Sequence, residues 1–187
     1  VNLVTLNISC PNTYGGEPFT TPEKLERLLD QIDKINLQKP LFIKMPIDKT
    51  DQEFVNLLKI IANHKVQGVT IANLFKDRSK VTLKDDLPND IAGNLSGKPT
   101  FERSNELIRM TYAEFGDKLI ISGVGGIFSA EDAYKKVCSG ASLIEMVTAL
   151  MFEGPQVVGQ INRGLVKLLK RDGFTNISQA IGSDLKK

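Results

Sequence analysis

A cysteine stands at the end of a strand-like run near the start of the chain. Cys10 follows the apolar residues 3–8 in the stretch NISCPNT, where Asn7 and Asn12 flank it. A thiolate can serve as a base or nucleophile, and amides on both sides can hold a polar substrate. Free cysteine has a pKa of about 8.5, so a thiolate at neutral pH needs a nearby donor or positive field. A buried structural thiol is the alternative, although Pro11 ends the run and favours the edge of a sheet.

A glycine-rich turn provides a second group of residues that could take part in ligand binding. The sequence SGVGGIFSAED places Gly125 and Gly126 between a strand-like run and a helix that starts at Ser129. Glycines let backbone N–H groups approach an anion, and a helix start adds partial positive charge, so the turn predicts a phosphate site. The G-x-G-G spacing fits the Rossmann fingerprint less well. A tight turn without a ligand stays open as an alternative.

Short apolar runs alternate with amphipathic segments along the chain. The predicted strands are residues 3–8, 40–47, 68–73, 118–124 and 141–148. Their nearly continuous apolar character is typical of parallel strands covered on both faces, and the repeated strand–helix order implies right-handed crossovers. Five such units fit either an open doubly wound sheet or most of an eight-stranded barrel. Phosphate binding by the last two strand–helix loops is the barrel arrangement, so the glycine turn favours a (β/α)8 TIM barrel.

Signals for helix ends support these boundaries. Thr50 and Glu53 have the spacing of a capping box, Ser129 precedes two acidic residues, and Gly140 follows the same helix. Residues 74–100 are polar and rich in turn formers, which predicts an excursion over the sheet end, where site residues are common.

Composition excludes several classes of protein. The 187 residues suffice for one domain, 1–187, and a net charge of +2 without a basic block gives no support for nucleic-acid binding. The chain has two cysteines, no Cys/His cluster that predicts a metal site, and no transmembrane helix. His64 is expected to interact with a helix C-terminus and Cys138 to lie in the core. The chain opens in a strand-like run without Met, so we expect it to be part of a longer protein.

The motifs together resemble the dihydroorotate dehydrogenase family. The similarity covers essentially the whole chain and rests on the ordered strings NISCPNT, FIKMP, IAN, NLSGKP, SGVGGIFSAEDAYKKVCSGASLIEMVTAL and GPQVVGQINRGLVKLLKRDGF. From Gly93 onwards it is most similar to class 2, the quinone-reducing, membrane-associated branch. The resemblance implies an FMN-binding barrel, of which this chain has about five βα units, strands four to eight. The N-terminal barrel units and a helical extension are then missing.

The resemblance also implies roles for individual residues. Cys10 matches the general base that removes a proton from C5 of dihydroorotate while hydride leaves C6 for flavin N5. Class 2 members have serine there and class 1 members cysteine, so the chain mixes features of both. Asn7, Asn12 and Asn73 match the amides that hold the pyrimidine. The expected FMN contacts are Lys44, beside flavin N1/O2, and Ala72, Gly97, Gly125, Gly126, Val147 and Thr148.

Several positions depart from the family pattern. Thr-Asn-Thr is usual where this chain has Ala72, Asn73 and Leu74, and Tyr-Thr is usual where it has Val147 and Thr148. Glu145 replaces a common glutamine. These changes put the tightness of FMN and substrate binding in question.

The predicted function is FMN-dependent oxidation of dihydroorotate to orotate in de novo pyrimidine (UMP) synthesis, with quinone as electron acceptor. One alternative is a non-catalytic partial barrel or fragment that retains flavin-site sequence. Another is a phosphate-binding barrel oxidoreductase with a different substrate. The resemblance implies a cytoplasmic location. It also implies a peripheral contact, through a missing N-terminal segment, with the inner face of the cell membrane or, in a eukaryote, the mitochondrial inner membrane.

Overall fold

The structure is a computed structural model that describes residues 1–10, 19–35, 37–83 and 93–186. Its five strands form one parallel sheet in the order of the sequence. They are β1 (Val4–Asn7), β2 (Leu41–Lys44), β3 (Gly68–Ile71), β4 (Ile120–Val124) and β5 (Leu143–Glu145). All five predicted strands are present. A doubly wound sheet would reverse its strand order at a switch point, whereas this order is that of a barrel wall.

Helices follow the strands as the alternating pattern predicted. They are α1 (Pro22–Asp33), α2 (Asp51–Ile61), α3 (Phe101–Phe115), α4 (Ala130–Ser139), α5 (Thr148–Glu153), α6 (Gln156–Arg171) and α7 (Ile177–Ala180). The six-residue helix α5 was not predicted, because the last strand was expected to extend through residue 148. That run is nearly continuous in apolar character, and periodicity does not separate a strand from a short helix in such a run.

The core lies between the sheet and the helices that cover it. All four residues of β3 are buried. Leu29 of α1 and Phe54 of α2 are fully buried beside strand residues such as Ile43. A smaller cluster joins α4 to α6 and includes Cys138, which confirms that this cysteine belongs to the core. The carboxyl ends of the sheet's strands carry the residues of interest.

The start of α2 is fixed by the predicted capping box. Thr50 Oγ1 accepts a hydrogen bond from the Glu53 backbone N–H at 3.3 Å, and Glu53 Oε2 accepts one from the Thr50 N–H at 3.0 Å. The bond from the Thr50 backbone, followed by the contact with Lys49, lowers the pKa of Glu53 to about 2. The helix is therefore anchored by its own first turn.

Thr50→Ala is expected to lower the free energy of unfolding by about 1 kcal/mol, because it removes the cap acceptor. Thr21→Ala is the matched control, since Thr21 precedes α1 but makes no capping bond with its side chain. Denaturant titrations of both variants measure the effect.

The depressed pKa of Glu53 stabilises the fold above the pKa of an unfolded glutamate, about 4.3. Thr50→Ala keeps the backbone bond to Glu53 but loses the one from Thr50 Oγ1 to Glu53 Oε2 at 2.9 Å, so that part of the difference between parent and variant should shrink as pH falls towards about 2. Equal losses in the two variants would show that the capping box has no special effect.

Candidate functional site

A cleft lies at the carboxyl ends of β2 to β5. Most of the predicted site residues line it, together with residues that were not predicted. The lining residues are Lys44, Ala72, Asn73, Leu74, Ser96, Gly97, Thr100, Val124, Gly125, Gly126, Ile127, Met146, Val147, Thr148, Ala149 and Met151. Carboxyl ends of parallel strands meet at one edge, which explains how residues far apart in sequence come together here.

The end of β1 is tied to this cleft through Ser9. The fully buried Ser9 donates its hydroxyl to Asn7 Oδ1 at 3.4 Å and accepts a hydrogen bond from Asn73 Nδ2. Its backbone N–H also bonds to Asn7 Oδ1, at 3.2 Å. Cys10 is the next residue and is only partly buried. The three polar residues therefore link the end of β1 to the cleft, while Cys10 is not among the residues that line it. Asn12 lies outside the described residues.

Sequence reasoning missed Ser9, although its place between Asn7 and Cys10 in NISC was a usable signal. Ser96 and Thr100 were also missed. They lie beside predicted glycines, and hydroxyls next to such glycines are a signal for an anion site.

The predicted glycines come from separate loops and meet at one side of the cleft. Gly97, Gly125 and Gly126 all have positive φ, of 74°, 106° and 71°. A Cβ on Gly126 would lie 2.5 Å from Cβ of Phe101, and one on Gly97 would lie 2.9 Å from Thr148 Cγ2. These positions accept glycine alone without rearrangement. They place backbone without a side chain beside hydroxyls in the wall of the cleft, as a phosphate site requires.

The start of α4 differs from the expectation that it would face an anion directly. Asp132 Oδ2 accepts hydrogen bonds from the N–H groups of Phe128 at 3.0 Å and Ser129 at 3.2 Å. Lys98 Nζ contacts Asp132 Oδ1 at 2.8 Å. Burial acts to raise the pKa of Asp132, but the hydrogen bonds from Lys98 and Phe128 outweigh it, so the pKa is lowered. The positive end of this helix is therefore already matched by a carboxylate of its own.

The positions that depart from the family pattern give the cleft an apolar side. Ala72 is buried, and Val147 is exposed just before α5. The Ile71–Ala72 peptide bond is cis.

Glu145 Oε1 accepts hydrogen bonds from Thr70 Oγ at 3.0 Å and Ser122 Oγ at 2.6 Å, which links β3, β4 and β5. A carboxylate oxygen can accept hydrogen bonds from two hydroxyls. Glutamate in place of the usual glutamine therefore still joins the three strands.

His64 interacts with the C-terminal end of a neighbouring helix. Its Nδ1 lies 2.8 Å from Asp33 Oδ2, and its Nε2 lies 3.5 Å from Glu26 Oε1. Asp33 is the last residue of α1, so the imidazole does interact with a helix C-terminus, that of the neighbouring helix. Glu26 also belongs to α1, so these contacts join α1 to the end of α2. Neither carboxylate was predicted, because the sequence does not show which residues of α1 face the end of α2.

The fold and the site together define the class of protein. Parallel strands in sequential order, outer helices and a cleft at the carboxyl ends of the strands describe part of a (β/α)8 barrel. Residues 1–169 match the family model described as Dihydroorotate dehydrogenase, so the chain belongs to that family. The family and the barrel fold, both predicted from the sequence, are confirmed.

Proteins named "Dihydroorotate dehydrogenase (quinone)" are among its relatives. The one from Nautilia profundicola is 38% identical over 100% of this chain and 50% of its own length. The one from Trichodesmium erythraeum is 37% identical over 95% of this chain and 48% of its own length. The chain thus spans about half the length of the curated relatives it matches.

Two crystal structures of DHODH from Eimeria tenella share the fold. The ligand-free structure matches with a TM-score of 0.85 and 24% identity over 98% of this chain and 55% of that one. The complex with ferulenol matches with a TM-score of 0.83 and 23% identity, and the match covers 100% of this chain and 55% of that one. Within the described part of the chain, none of the helices combines the length and apolar character needed to cross a bilayer.

Proposed function

We propose that this chain is part of an FMN-dependent enzyme that oxidises dihydroorotate to orotate and passes the electrons to a quinone. The observation that carries the proposal is one cleft that holds Lys44, Gly125, Gly126 and Thr148 beside the Ser9–Asn73 contact. The names of the relatives support the substrate and the acceptor. Orotate is a pyrimidine, so the reaction belongs to de novo pyrimidine (UMP) synthesis. We further propose a cytoplasmic protein with peripheral contact to the membrane that holds the quinone.

The cleft suits the two ends of FMN. Glycine backbone with positive φ and the hydroxyls of Ser96 and Thr148, which lie 3.3 Å apart, suit a phosphate. The apolar side chains of Ala72, Leu74 and Met146 suit a flat ring. Lys44 brings a cation to the same cleft, where it would stabilise negative charge on the reduced ring. Bound FMN would supply an acceptor for hydride.

The chain's own polar residues then handle the substrate and its proton. Asn73 donates one N–H to Ser9 and accepts a bond from the Leu74 N–H at 3.0 Å. An amide has two N–H donors and two lone pairs, so these bonds fix its orientation without using its full capacity. The thiolate of Cys10 accepts the proton from C5 as the C5–H bond breaks. The hydride leaves C6, and the C5=C6 double bond of orotate forms.

An anaerobic titration with dihydroorotate tests the proposal. The purified native protein is expected to be yellow, or to become yellow with added FMN, and to bleach when dihydroorotate is added. Addition of a quinone should restore the colour. Failure to take up FMN would contradict the proposal, and so would bound FMN that dihydroorotate does not reduce.

A second candidate function has its own supporting observation. Ala72, Leu74 and Val147 line the cleft where the family usually has hydroxyls, which favours a barrel with weakened flavin and substrate binding. A protein that binds FMN but is reduced only by another compound would support a different oxidoreductase. A protein that binds no flavin would support a non-catalytic role.

A further inference from the structure

One buried cation lies behind the glycine turn. In the described part of the chain, Lys136 is the sole charged residue in the fully buried class, with 0% exposure. Its Nζ donates hydrogen bonds to Ser104 Oγ and, at 3.0 Å, to Asn105 Oδ1. The same atom lies 5.0 Å from the centroid of the Phe101 ring. Its direct contacts are thus with neutral groups of α3.

The path of the Lys136 side chain leads to the cleft. A Cβ built on Gly123 would lie 3.2 Å from Lys136 Cδ, so this glycine in β4 makes room for the aliphatic chain. A Cβ built on Gly125 would lie 3.6 Å from Ser104 Oγ, which accepts the ammonium's hydrogen bond. One serine therefore separates the ammonium from the turn that faces the cleft.

The charges around Lys136 do not form a close ion pair with it. Burial lowers the pKa of Lys136 to about 7, although Asp132 of its own helix and Glu102 of α3 act to raise it and Lys98 acts to lower it. Asp132 is engaged by Lys98 and by the start of α4. Arg109 of α3 bonds to Ser139 at 3.4 Å, one turn away. A buried cation is costly unless an anion compensates for it, so an anion in the cleft would relieve this cost.

We propose that Lys136 is a positioning residue for the phosphate group bound at Gly125 and Gly126. Its ammonium places positive charge behind the turn, and its bonds to Ser104 and Asn105 hold the start of α3 against the turn. The identification of the phosphate as that of FMN rests on the proposed function. The placement of the lysine does not.

A comparison of FMN binding with riboflavin binding separates the effect of the Lys136 charge from that of its packing. Lys136→Met keeps the length and apolar stem of the side chain but removes the charge. Loss of a bond network around a charged group should weaken FMN binding by at least about tenfold. Riboflavin has no phosphate, so its affinity should stay within about twofold of the parent's. Flavin fluorescence titration measures both. Lys135→Met is the control, because Lys135 is half exposed and pairs with Asp184 at 2.7 Å.

The pH dependence of flavin binding gives a second readout. A lysine is charged below its pKa, and the second pKa of a phosphate monoester is about 6. Of these two groups, only the lysine therefore changes charge above pH about 7. The FMN-to-riboflavin affinity ratio of the parent should fall as pH rises from 7 to about 9. In Lys136→Met the ratio should be flat over that range. A flat ratio in the parent, or an equal loss of FMN and riboflavin binding in the variant, would overturn the proposal.

Stabilisation by inorganic phosphate tests the role of Lys136 independently of the proposed function. Phosphate should raise the melting temperature of the parent and of Lys135→Met more than chloride at equal ionic strength does, and should raise that of Lys136→Met less. If this holds while FMN does not bind, the role of Lys136 stands and the flavoenzyme proposal fails. If neither phosphate nor FMN stabilises the parent, the role of Lys136 is overturned as well.

Discussion

Cys10→Ala is expected to slow the reduction of bound FMN by dihydroorotate by about 10²- to 10⁴-fold, the usual contribution of a general base. Cys10 directly follows Ser9, whose hydroxyl is fixed by Asn7 and Asn73, so the variant removes the sulfur without disturbing that contact. The residue is only partly buried, and the change leaves little empty volume. FMN affinity should stay within about twofold of the parent's, since Cys10 is not among the residues that line the cleft.

Anaerobic stopped-flow measurement of flavin absorbance gives this rate directly. Cys138→Ala is the matched control, because the chain's other cysteine is buried in the cluster between α4 and α6. That variant should lose stability and keep the rate of flavin reduction. A parent-like rate in Cys10→Ala would remove Cys10 from the mechanism, whereas slow reduction in both variants would indicate a general loss of structure.

Gly126→Ala is expected to have the largest effect on the integrity of the cleft. The residue has φ of 71°, and its new Cβ would lie 2.5 Å from Cβ of Phe101. Left-handed backbone costs a non-glycine residue about 1–2 kcal/mol, and overpacking adds about 1–3 kcal/mol. The free energy of unfolding should therefore fall by about 2–5 kcal/mol. FMN binding should weaken strongly, because the turn and the start of α3 cannot both keep their positions.

Gly173→Ala isolates the effect of the contact. Gly173 has a similar φ of 79°, but a Cβ there would meet nothing within 4 Å. This control should lose about 1–2 kcal/mol from backbone strain and keep the FMN affinity of the parent. Denaturant unfolding and flavin titration of both variants make the comparison. Equal losses of stability would show that the contact with Phe101 is relieved at no cost, and unchanged FMN affinity in Gly126→Ala would place the phosphate elsewhere.

Local signals in the sequence predicted most of the elements. Alternating apolar runs gave the strands, and the caps at Thr50 and Ser129 gave two helix starts that the structure confirms. These signals work because hydrogen bonds within a turn and the periodicity of a strand depend on neighbours in sequence. The same reasoning failed for α5, where an apolar run carries no period that separates strand from helix.

The membership of the cleft was also largely predictable. The cleft residues predicted from the sequence end a strand or lie between a strand and the next helix or at that helix's start, and carboxyl ends of parallel strands converge at one edge. They include Lys44, Asn73, Gly97, Gly125 and Thr148. The roles of these residues stay predictions until flavin and substrate binding are measured. Ser9 was missed because its importance comes from a contact with Asn73, which lies far away in sequence.

The sequence by itself determined the family, the strand–helix order and the chemical types of residue at the strand ends. Only the tertiary structure distinguished Lys135 from Lys136. The two are neighbours of identical chemistry, yet one is half exposed beside Asp184 and the other is fully buried against Ser104 and Asn105. Packing of α4 against α3 makes this difference, because it surrounds one ammonium with neutral side chains and leaves the other in water.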